Sequence, residues 1–377
     1  MFNLPDLNTC VAQARAAFQS ALPGANAWLW PNNVGPIAKV IGGAQWLVNQ
    51  RIEFIGKQAF AQFATGAYLD RQGAEFNLPR KAAQAAGGNL TVTTSDAVVV
   101  AAGAQFARGD GVIFTSSTAV TSAGAASLSV PVTGPAGAAS NSAAATPMTI
   151  LSGVTGAGAS SAVVVVDSNG LAGGVDIEPD GAPQTRDLST YRGRILFRKA
   201  YPPQGGAPAD YVQWASSVSG VTRVFVERLY AGPGTVRIFP IFDDLFAQYG
   251  GVPDDAHVAA VSNVVQALAP AAAQVVVQAP TPSPIAIIVR NLSPNTPTTQ
   301  AAVRAELADA FRRLGRVSGN DGIYANMPFL AYPYTFLALW VEQAVANATG
   351  VIGADVVLAD TPIGDGSMPV LGSVDFA

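Results

Sequence analysis

The sequence offers few side chains from which an active site or a metal centre could be built. His257 is the only histidine and Cys10 is the only cysteine among 377 residues. A serine nucleophile would need that histidine or a lysine as its base, and no G-x-S-x-G motif is present. Zinc sites of the usual kind are excluded, because they need several His or Cys ligands. His257 is therefore predicted to be a solvated residue in the first turn of a helix.

Two adjacent pairs of carboxylates are the remaining candidates for acid–base chemistry or calcium binding. Asp243 precedes Asp244, and Asp254 precedes Asp255. Neighbouring residues on a strand or a helix point in different directions, so neither pair is expected to act as a unit. Both pairs are expected to flank turns and cap helices. With no phosphate-binding glycine motif either, the sequence predicts no catalytic residue, no metal site and no cofactor.

The composition is unusually poor in charge. Charged residues make up 12% of the chain and hydrophobic residues 49%, whereas about 25% charged residues is typical. Disordered chains have the opposite balance. A weakly charged surface is either covered by other subunits or is simply rich in Ser, Thr and Ala, and composition leaves both readings open. The net charge of −4, without a basic stripe, argues against nucleic acid as a partner.

The chain shows no sign of secretion or of a membrane span. A single cysteine forms no intramolecular disulfide, and the first residues lack the features of a signal peptide, so synthesis in a reducing cytoplasm is expected. Residues 322–341 carry no charge, but Pro328 and Pro333 interrupt them and Glu342 follows. A buried or interface segment is the prediction for this stretch.

The N-terminal region carries a long apolar stripe. Its spacing of three and four residues predicts one helix over residues 36–65, about 45 Å long at 1.5 Å per residue, with Gly66 as its end. Gly42 and Gly43 inside it indicate either close approach by another helix or a simple kink. The stripe consists of Ile37, Val40, Ile41, Ala44, Leu47, Val48, Ile52, Ile55, Ala59 and Phe63.

The next region changes character sharply. Thr, Val, Ser, Ala and Gly dominate residues 87–167, and residues 111–166 contain no charged side chain. Runs of β-branched residues predict strands over 90–94, 98–100, 112–115, 128–132 and 162–166. We interpret the region as a small antiparallel β domain, with a low-complexity linker as the alternative.

The C-terminal half mixes helical and strand patterns. A glycine-rich boundary loop over residues 169–184 precedes it, and Gly232-Pro233-Gly234 marks a hairpin. Thr296 is expected to cap a helix that begins at Pro297. Helices are predicted over 186–200, 209–218, 254–268, 297–314 and 334–347, and strands over 221–230, 235–242, 273–278, 284–290 and 351–358. The elements interleave without strict alternation, so the fold class is α+β and multidomain. The predicted domains are 1–86, 87–168, 169–250 and 251–377.

The first of four local patterns spans residues 66–80. Gly66 and Gly73 are expected to bracket a turn in which Asp70 caps the following segment and Leu69 packs inward. The pattern ends with Leu-Pro-Arg at Arg80.

The second pattern spans residues 173–180, where Gly173 and Gly174 allow a backbone path closed to other residues. Asp176, Glu178 and Asp180 are expected to hold Arg186 through charge-assisted bonds.

The third pattern runs from residue 205 to the hairpin glycine Gly234. Asp210 is expected to cap a helix whose buried face includes either Val212 and Ala215 or Tyr211 and Trp214. The fourth is the ending, residues 368–374.

In this order and spacing, the four patterns resemble the baseplate J-like proteins of contractile-tailed phages and related injection machines. The resemblance runs from about residue 59 to the C-terminus, while residues 1–58 match only in being helical. It implies a non-enzymatic subunit of the inner baseplate wedge, located in the virion. Its partners would be other wedge subunits and copies of itself, with the central hub or tail tube and the sheath-initiating proteins as further candidates.

The resemblance also implies how the parts are used. N-terminal helices of such proteins bundle with those of neighbouring wedge subunits around the tail tube, and C-terminal domains pair to close a ring that rearranges when the sheath contracts. The stripe suits such a bundle, because it is longer than one small domain needs. A chain truncated before residue 59 is expected to fold but not to join a wedge.

Two other functions remain open from the sequence. A β-rich receptor-binding or adhesive tail protein is suggested by the neutral Thr- and Ser-rich strands, but it should carry exposed aromatic residues. Residues 111–166 contain one aromatic residue, Phe114. A tail-associated hydrolase would need a carboxylate pair in a cleft.

Overall fold

The computed structural model describes residues 4–22, 24, 33–184, 187–321 and 327–377. The chain divides into two compact units. The N-terminal unit comprises residues 1–79 and 182–185, and the main unit comprises residues 80–181 and 186–377.

The N-terminal unit contains a helical hairpin. Its helices are α1 (Leu7–Ala21), α2 (Val34–Gln58) and the short α3 (Ala67–Ala74). Asp6 caps α1 by accepting a hydrogen bond from the Thr9 amide at 2.8 Å. A Cβ on Gly42 would lie 2.6 Å from Cα of Val11, whereas one on Gly43 would meet open space. The predicted close approach of a second helix is therefore confirmed at Gly42.

Helix α2 ends earlier than predicted, at Gln58 instead of residue 65. The Gln58 side chain accepts a hydrogen bond from the Thr65 amide at 2.9 Å, and Ala61 and Ala64 are buried in the turns between them. The apolar spacing continues through Ala59 and Phe63, so periodicity did not reveal this break. At 1.5 Å per residue the helix is about 37 Å long.

Residues 85–172 form what we call the β domain. Its strands are β1 (Ala85–Thr94), β2 (Val98–Arg108), β3 (Ile113–Ser116), β4 (Val120–Ser122), β5 (Ala126–Ala136), β6 (Pro147–Thr155) and β7 (Val163–Val166). They are antiparallel in the order β3-β5-β1-β7-β6-β2-β4, and a further pairing of β3 with β2 closes the sheet on itself. Leu90, Phe106 and Phe114 lie fully buried inside.

The β-domain prediction is confirmed, and the linker alternative is wrong. All five predicted strands are present, but β4 and β6 were missed. Strand β4 has only three residues. Strand β6 begins at a proline and contains Gly153 with φ of +78°, two features that ordinarily indicate a break.

Two antiparallel segments carry the chain into and out of the β domain, and we call residues 80–84 and 175–181 the stem. Gln84 and Val175 exchange backbone hydrogen bonds of 2.7 and 3.0 Å. At the start of the β domain, Gly87 and Ala172 do the same at 2.8 and 3.1 Å. The β domain is therefore inserted through two adjacent strand-like segments.

The remainder of the main unit has two α+β parts. The first contains α4 (Tyr191–Ala200), α5 (Pro208–Ser216), β8 (Arg223–Arg228), β9 (Thr235–Ile241), α6 (Asp255–Leu268) and β10 (Gln274–Val277). Strands β8 and β9 form the predicted antiparallel hairpin, and β10 adds parallel to β9. The α4 prediction began too early, because Thr190 caps the helix by accepting from the Gly193 amide at 3.2 Å.

The second part is C-terminal. It contains β11 (Thr281–Ser293), α7 (Pro297–Leu314), β12 (Thr335–Phe336), α8 (Ala338–Asn347), β13 (Gly353–Val357), β14 (Thr361–Pro362) and β15 (Ser367–Phe376). The sheet order is β13-β11-β15, with β12 and β14 paired separately. Thr296 and Pro297 begin α7 as predicted, and the Thr296 hydroxyl accepts from the Thr299 amide at 3.2 Å. The helix predicted from residue 334 starts later, since residues 335–336 form a strand. The α+β, multidomain prediction is confirmed.

Candidate functional site

The apolar stripe of α2 is exposed in this chain. Val40 is 73% exposed, Leu47 63% and Ile55 56%. The other members on the helix, Ile37, Ile41, Ala44, Val48 and Ile52, are also exposed, and Phe63 is half-buried. At 100° per residue, Ala38 and Val40 point to opposite sides of the helix. Ala38 and Gly42 are buried, so α1 covers one face and the stripe occupies another.

Two aromatic residues extend this surface and were not predicted. Phe54 is 41% exposed and Phe60 59%. The Phe54 ring contacts Tyr68 edge-on, with 6.0 Å between the ring centroids. Phe54 lies seven residues after Leu47, on the edge of the stripe, and Phe60 follows the end of α2.

The first motif forms a helix where a turn was predicted. Gly66, with φ of +52°, precedes α3, and Asp70 lies within its first turn instead of ahead of a following segment. Leu69 is fully buried, as predicted. The Gly73 carbonyl accepts a hydrogen bond from the Leu78 amide at 3.0 Å, which ends the helix. Gly66 thus precedes the eight helical residues, and Gly73 lies in their last turn.

The second motif meets the end of the first in a buried ionic cluster at the stem. Arg194 of α4 donates to both carboxylate oxygens of Glu178, at 2.7 and 2.5 Å. Arg80 pairs with Asp180 and donates to the Glu178 carbonyl at 2.9 Å. Its guanidinium lies 4.6 Å from the centroid of the Tyr191 ring. We call Arg80, Lys81, Glu178, Asp180 and Arg194 the stem cluster.

Two acidic residues of the second motif pair with arginines among the described residues. Glu178 binds Arg194 and Asp180 binds Arg80. Arg186, the expected partner, lies outside the described residues. No signal close in sequence links residue 80 to residue 180, because the β domain separates them.

Lys81 was not predicted to belong to this cluster. Its side chain is buried, and its ammonium nitrogen donates to the Val221 carbonyl at 3.0 Å. Burial lowers the pKa of Lys81 to about 8, and the negative charge of Glu178 partly opposes this effect. The Lys81 amide also donates to Glu178 at 3.1 Å.

The glycines of the second motif allow the stem to pass close to the β domain, as predicted. A Cβ on Gly174 would lie 2.5 Å from the Gly137 carbonyl oxygen, and Gly173 has φ of +91°. Asn141 fixes this contact with two 2.8 Å hydrogen bonds to the Gly174 backbone. Asp176 accepts from the Ala138 amide at 2.9 Å.

The third motif has the predicted capping role. Asp210 lies in the first turn of α5 and accepts from the amides of Gly206 and Ala207 at 2.8 and 3.0 Å. The two proposed buried faces are both largely present: Tyr211, Val212 and Ala215 are buried and Trp214 is half-buried. Gly234, with φ of +83°, closes the β8–β9 hairpin.

Three of the four paired carboxylates have structural partners. Asp243 binds Arg223 and Asp244 binds Arg312, so the first carboxylate pair diverges as predicted. Asp254 caps α6 through the His257 amide at 2.9 Å, as predicted for the second pair.

His257 lies in the first turn of α6 as predicted, but it is not fully solvated. Its ring packs edge-on against Phe242 and Phe246, with centroids 5.3 and 5.0 Å apart. Within the described ranges, no three His, Cys, Asp or Glu residues are grouped as metal ligands would be. None of the described helices combines the length and apolar character needed to cross a membrane.

Comparison with known proteins places these motifs in a family. Residues 203–279, which include α5, the hairpin and α6, match the family model of the baseplate J-like central domain. Baseplate protein gp47 of Escherichia phage Mu is 31% identical over 251 residues, covering 64% of each chain. The Mu-like prophage FluMu protein gp47 of Haemophilus influenzae is 27% identical, covering 100% of this chain and 99% of that protein. Putative protein JayE of Escherichia coli K12 is 34% identical over 226 residues, covering 60% of this chain and 80% of that protein. The chain therefore belongs to the baseplate J-like family of phage tail baseplate proteins.

Proposed function

We propose that this protein is a structural, non-enzymatic subunit of the baseplate wedge of a contractile phage tail or a related injection machine. In this role it links wedges into a ring around the tail tube and rearranges when the sheath contracts. Its partners are other wedge subunits and copies of itself, with the hub, the tail tube and the sheath-initiating proteins as further neighbours. The exposed stripe on α2 is the observation that supports this proposal most directly.

Exposure of the stripe to water is energetically unfavourable for the isolated chain. Large apolar side chains gain roughly 1.5–3 kcal/mol each when they pass from water into a packed interface. The stripe includes seven Ile, Val and Leu residues exposed by 46–73%: Ile37, Val40, Ile41, Leu47, Val48, Ile52 and Ile55. A continuous apolar surface of this length is characteristic of an interaction site, whereas isolated exposed residues are ordinary.

The shape of the surface favours a helix as the occupant. The stripe repeats at three and four residues along a helix of 25 residues, which is the pattern of bundled helices. Because α1 already contacts the opposite side at Gly42, the stripe is available to helices of other subunits. This agrees with the bundle that the family resemblance implies.

The β-rich receptor-binding alternative receives no corresponding support. Phe106 and Phe114, the aromatic residues of the β domain, are both fully buried. Their rings fill the interior of the closed sheet and are not available to a receptor.

The decisive experiment is incorporation of a variant into tails. We expect Val40→Ser, Leu47→Ser and Ile55→Ser, combined in one chain, to lower incorporation into purified tail particles at least tenfold. A matched control combines Leu339→Ser and Ile352→Ser, which alter apolar residues of the main unit that are 63% and 86% exposed. It should incorporate normally. Normal incorporation of the triple variant would contradict the proposal.

A truncation provides an independent check. A chain that begins at residue 59 lacks α1 and α2 and is expected to remain folded but to be lost from co-purified wedge complexes. Circular dichroism and thermal unfolding would establish that the remainder folds. Co-purification at the yield of the full chain would show that the stripe does not carry assembly.

A further inference from the structure

We infer that the β domain is a hinged body that swings about the stem, and that Glu178, Arg194 and Lys81 form a latch holding it in the orientation seen here. This inference concerns the internal mechanics of the main unit and stands or falls independently of the proposed function.

The β domain has its own apolar core. Every residue of that core lies between Ala86 and Leu171, whereas the core around β8 and β9 is built from residues 197–330. A closed sheet with a self-contained core keeps its shape when its orientation changes. The domain therefore has the first property of a rigid moving body.

The chain crosses to the β domain only at the stem. The two crossing segments are adjacent and hydrogen-bonded at Gln84 and Val175. Gly173 on the domain side and Gly181 on the other side have φ of +91° and +81°, a conformation that glycine adopts without strain. A two-stranded connection flanked by such residues can bend as one piece.

The contacts that hold the stem to the neighbouring elements are polar and directional. Glu178 binds Arg194 of α4 through two hydrogen bonds. On the other side, Lys81 donates to the Val221 carbonyl at 3.0 Å, and the Ser219 hydroxyl donates to the Ala82 carbonyl at 3.3 Å. Such bonds are strong in one geometry and are lost within a small displacement. They therefore act as a latch with two defined states.

A cleft beside the latch gives the domain room to move. Its volume is about 380 Å³, which is enough to hold several water molecules. Asn141 and Asp176 line one side, and Ser219, Thr222, Asp244 and Leu245 line the other. The walls also include the apolar residues Val175, Val221 and Leu245, so displacement of the domain changes the apolar surface that water can reach.

The test measures the orientation of the β domain in the full-length chain. Spin labels at Thr118→Cys on the β domain and Asn263→Cys on α6, in a Cys10→Ala background, report one distance by double electron–electron resonance. We expect one narrow distance distribution in the parent and at least a doubling of its width in Glu178→Gln. Lys81→Met, which removes the bond to Val221 and the positive charge near Glu178, should broaden it less.

The matched control is Asp243→Asn, which removes the charge of another buried carboxylate held by an arginine but lies outside the stem. It should leave the distribution narrow. An unchanged width in both Glu178→Gln and Lys81→Met, or equal broadening in Asp243→Asn, would overturn the hinge. If Glu178→Gln does not fold, Lys81→Met decides the question alone.

Discussion

The α2 stripe and the stem cluster place opposite kinds of side chain in energetically unfavourable surroundings. The stripe leaves Val40 and Leu47 largely in water, while the stem cluster buries Glu178, Lys81 and Arg194. Apolar burial is non-directional and grows with area, so an exposed stripe favours association without defining a single geometry. A buried ion pair adds little net stability but tolerates only one arrangement of its partners. The stripe thus promotes attachment to a partner, and the stem cluster fixes the arrangement of the residues that form it.

The largest effect is expected at the stem cluster. Arg194→Met should lower the free energy of unfolding by about 3–5 kcal/mol, because it leaves the buried Glu178 carboxylate without its bidentate partner. Urea unfolding of the purified protein measures this change. Arg312→Met removes a partner of the exposed Asp244 and should cost less than about 0.5 kcal/mol. Equal losses in the two variants would remove the distinction between buried and exposed pairs.

The second effect is a pH dependence that arises from Lys81. Its pKa is about 8 in the folded protein against an ordinary value of 10.5. Between these values the unfolded chain holds a proton that the folded protein lacks, so stability rises with pH. The rise should reach about 2–3 kcal/mol from pH 8 to 10. Thermal unfolding across this range should show it in the wild type.

The matched variant for that measurement is Lys81→Met, whose stability should be nearly flat from pH 8 to 10. The window ends there because burial raises the pKa of Tyr334, so the folded protein keeps a proton that the unfolded chain loses. Above about pH 10 this second group lowers stability as pH rises. A rise of the same size in Lys81→Met would show that another group is responsible.

A smaller effect tests the helical hairpin that supports the stripe. Gly42→Val should destabilise the N-terminal unit by about 1–3 kcal/mol, because its Cβ would meet the α1 backbone at Val11. Gly43→Ala enters open space and should stabilise the helix by up to about 1 kcal/mol. Hydrogen exchange of the α1 and α2 amides measures both. If Gly42→Val left the exchange of these amides unchanged, α1 and α2 could separate without loss of stability.

The smallest expected effect lies in the stripe itself. Val40→Ser, Leu47→Ser and Ile55→Ser should each change the stability of the isolated chain by less than about 0.5 kcal/mol, since these side chains are already mostly in water. Thermal unfolding of each variant gives this value. A loss of several kcal/mol would show that the stripe belongs to the core of the chain and not to a partner surface.

Sequence reasoning succeeded where the controlling signal is local. Thr296 followed by Pro297 located the start of α7, and Asp210 was recognised as a cap three residues from the amide it binds. Runs of β-branched residues identified five strands of the β domain. In each case the residues that decide the structure are neighbours in sequence.

Sequence reasoning failed where the structure depends on a contact between residues that are not neighbours in the chain. Gln58 ends α2 through a hydrogen bond to Thr65, within an unbroken apolar pattern. Lys81 meets Val221 across 140 residues, and no periodicity reports such a pairing. Strand β15 contains both Pro369 and Gly372, which ordinarily interrupt strands, yet it pairs in parallel with β11. Pairings of this kind arise from the packed fold.

The absence of ionisable side chains from residues 111–166 has a kinetic consequence. Charged surfaces guide diffusing partners towards each other, and neutral ones associate at roughly 10⁵–10⁶ M⁻¹ s⁻¹ without such steering. Encounters through the exposed residues of this stretch should therefore be slow and nearly independent of ionic strength. A neighbour binds them efficiently only after another contact has already brought the two molecules together, so these residues would be engaged late in any assembly.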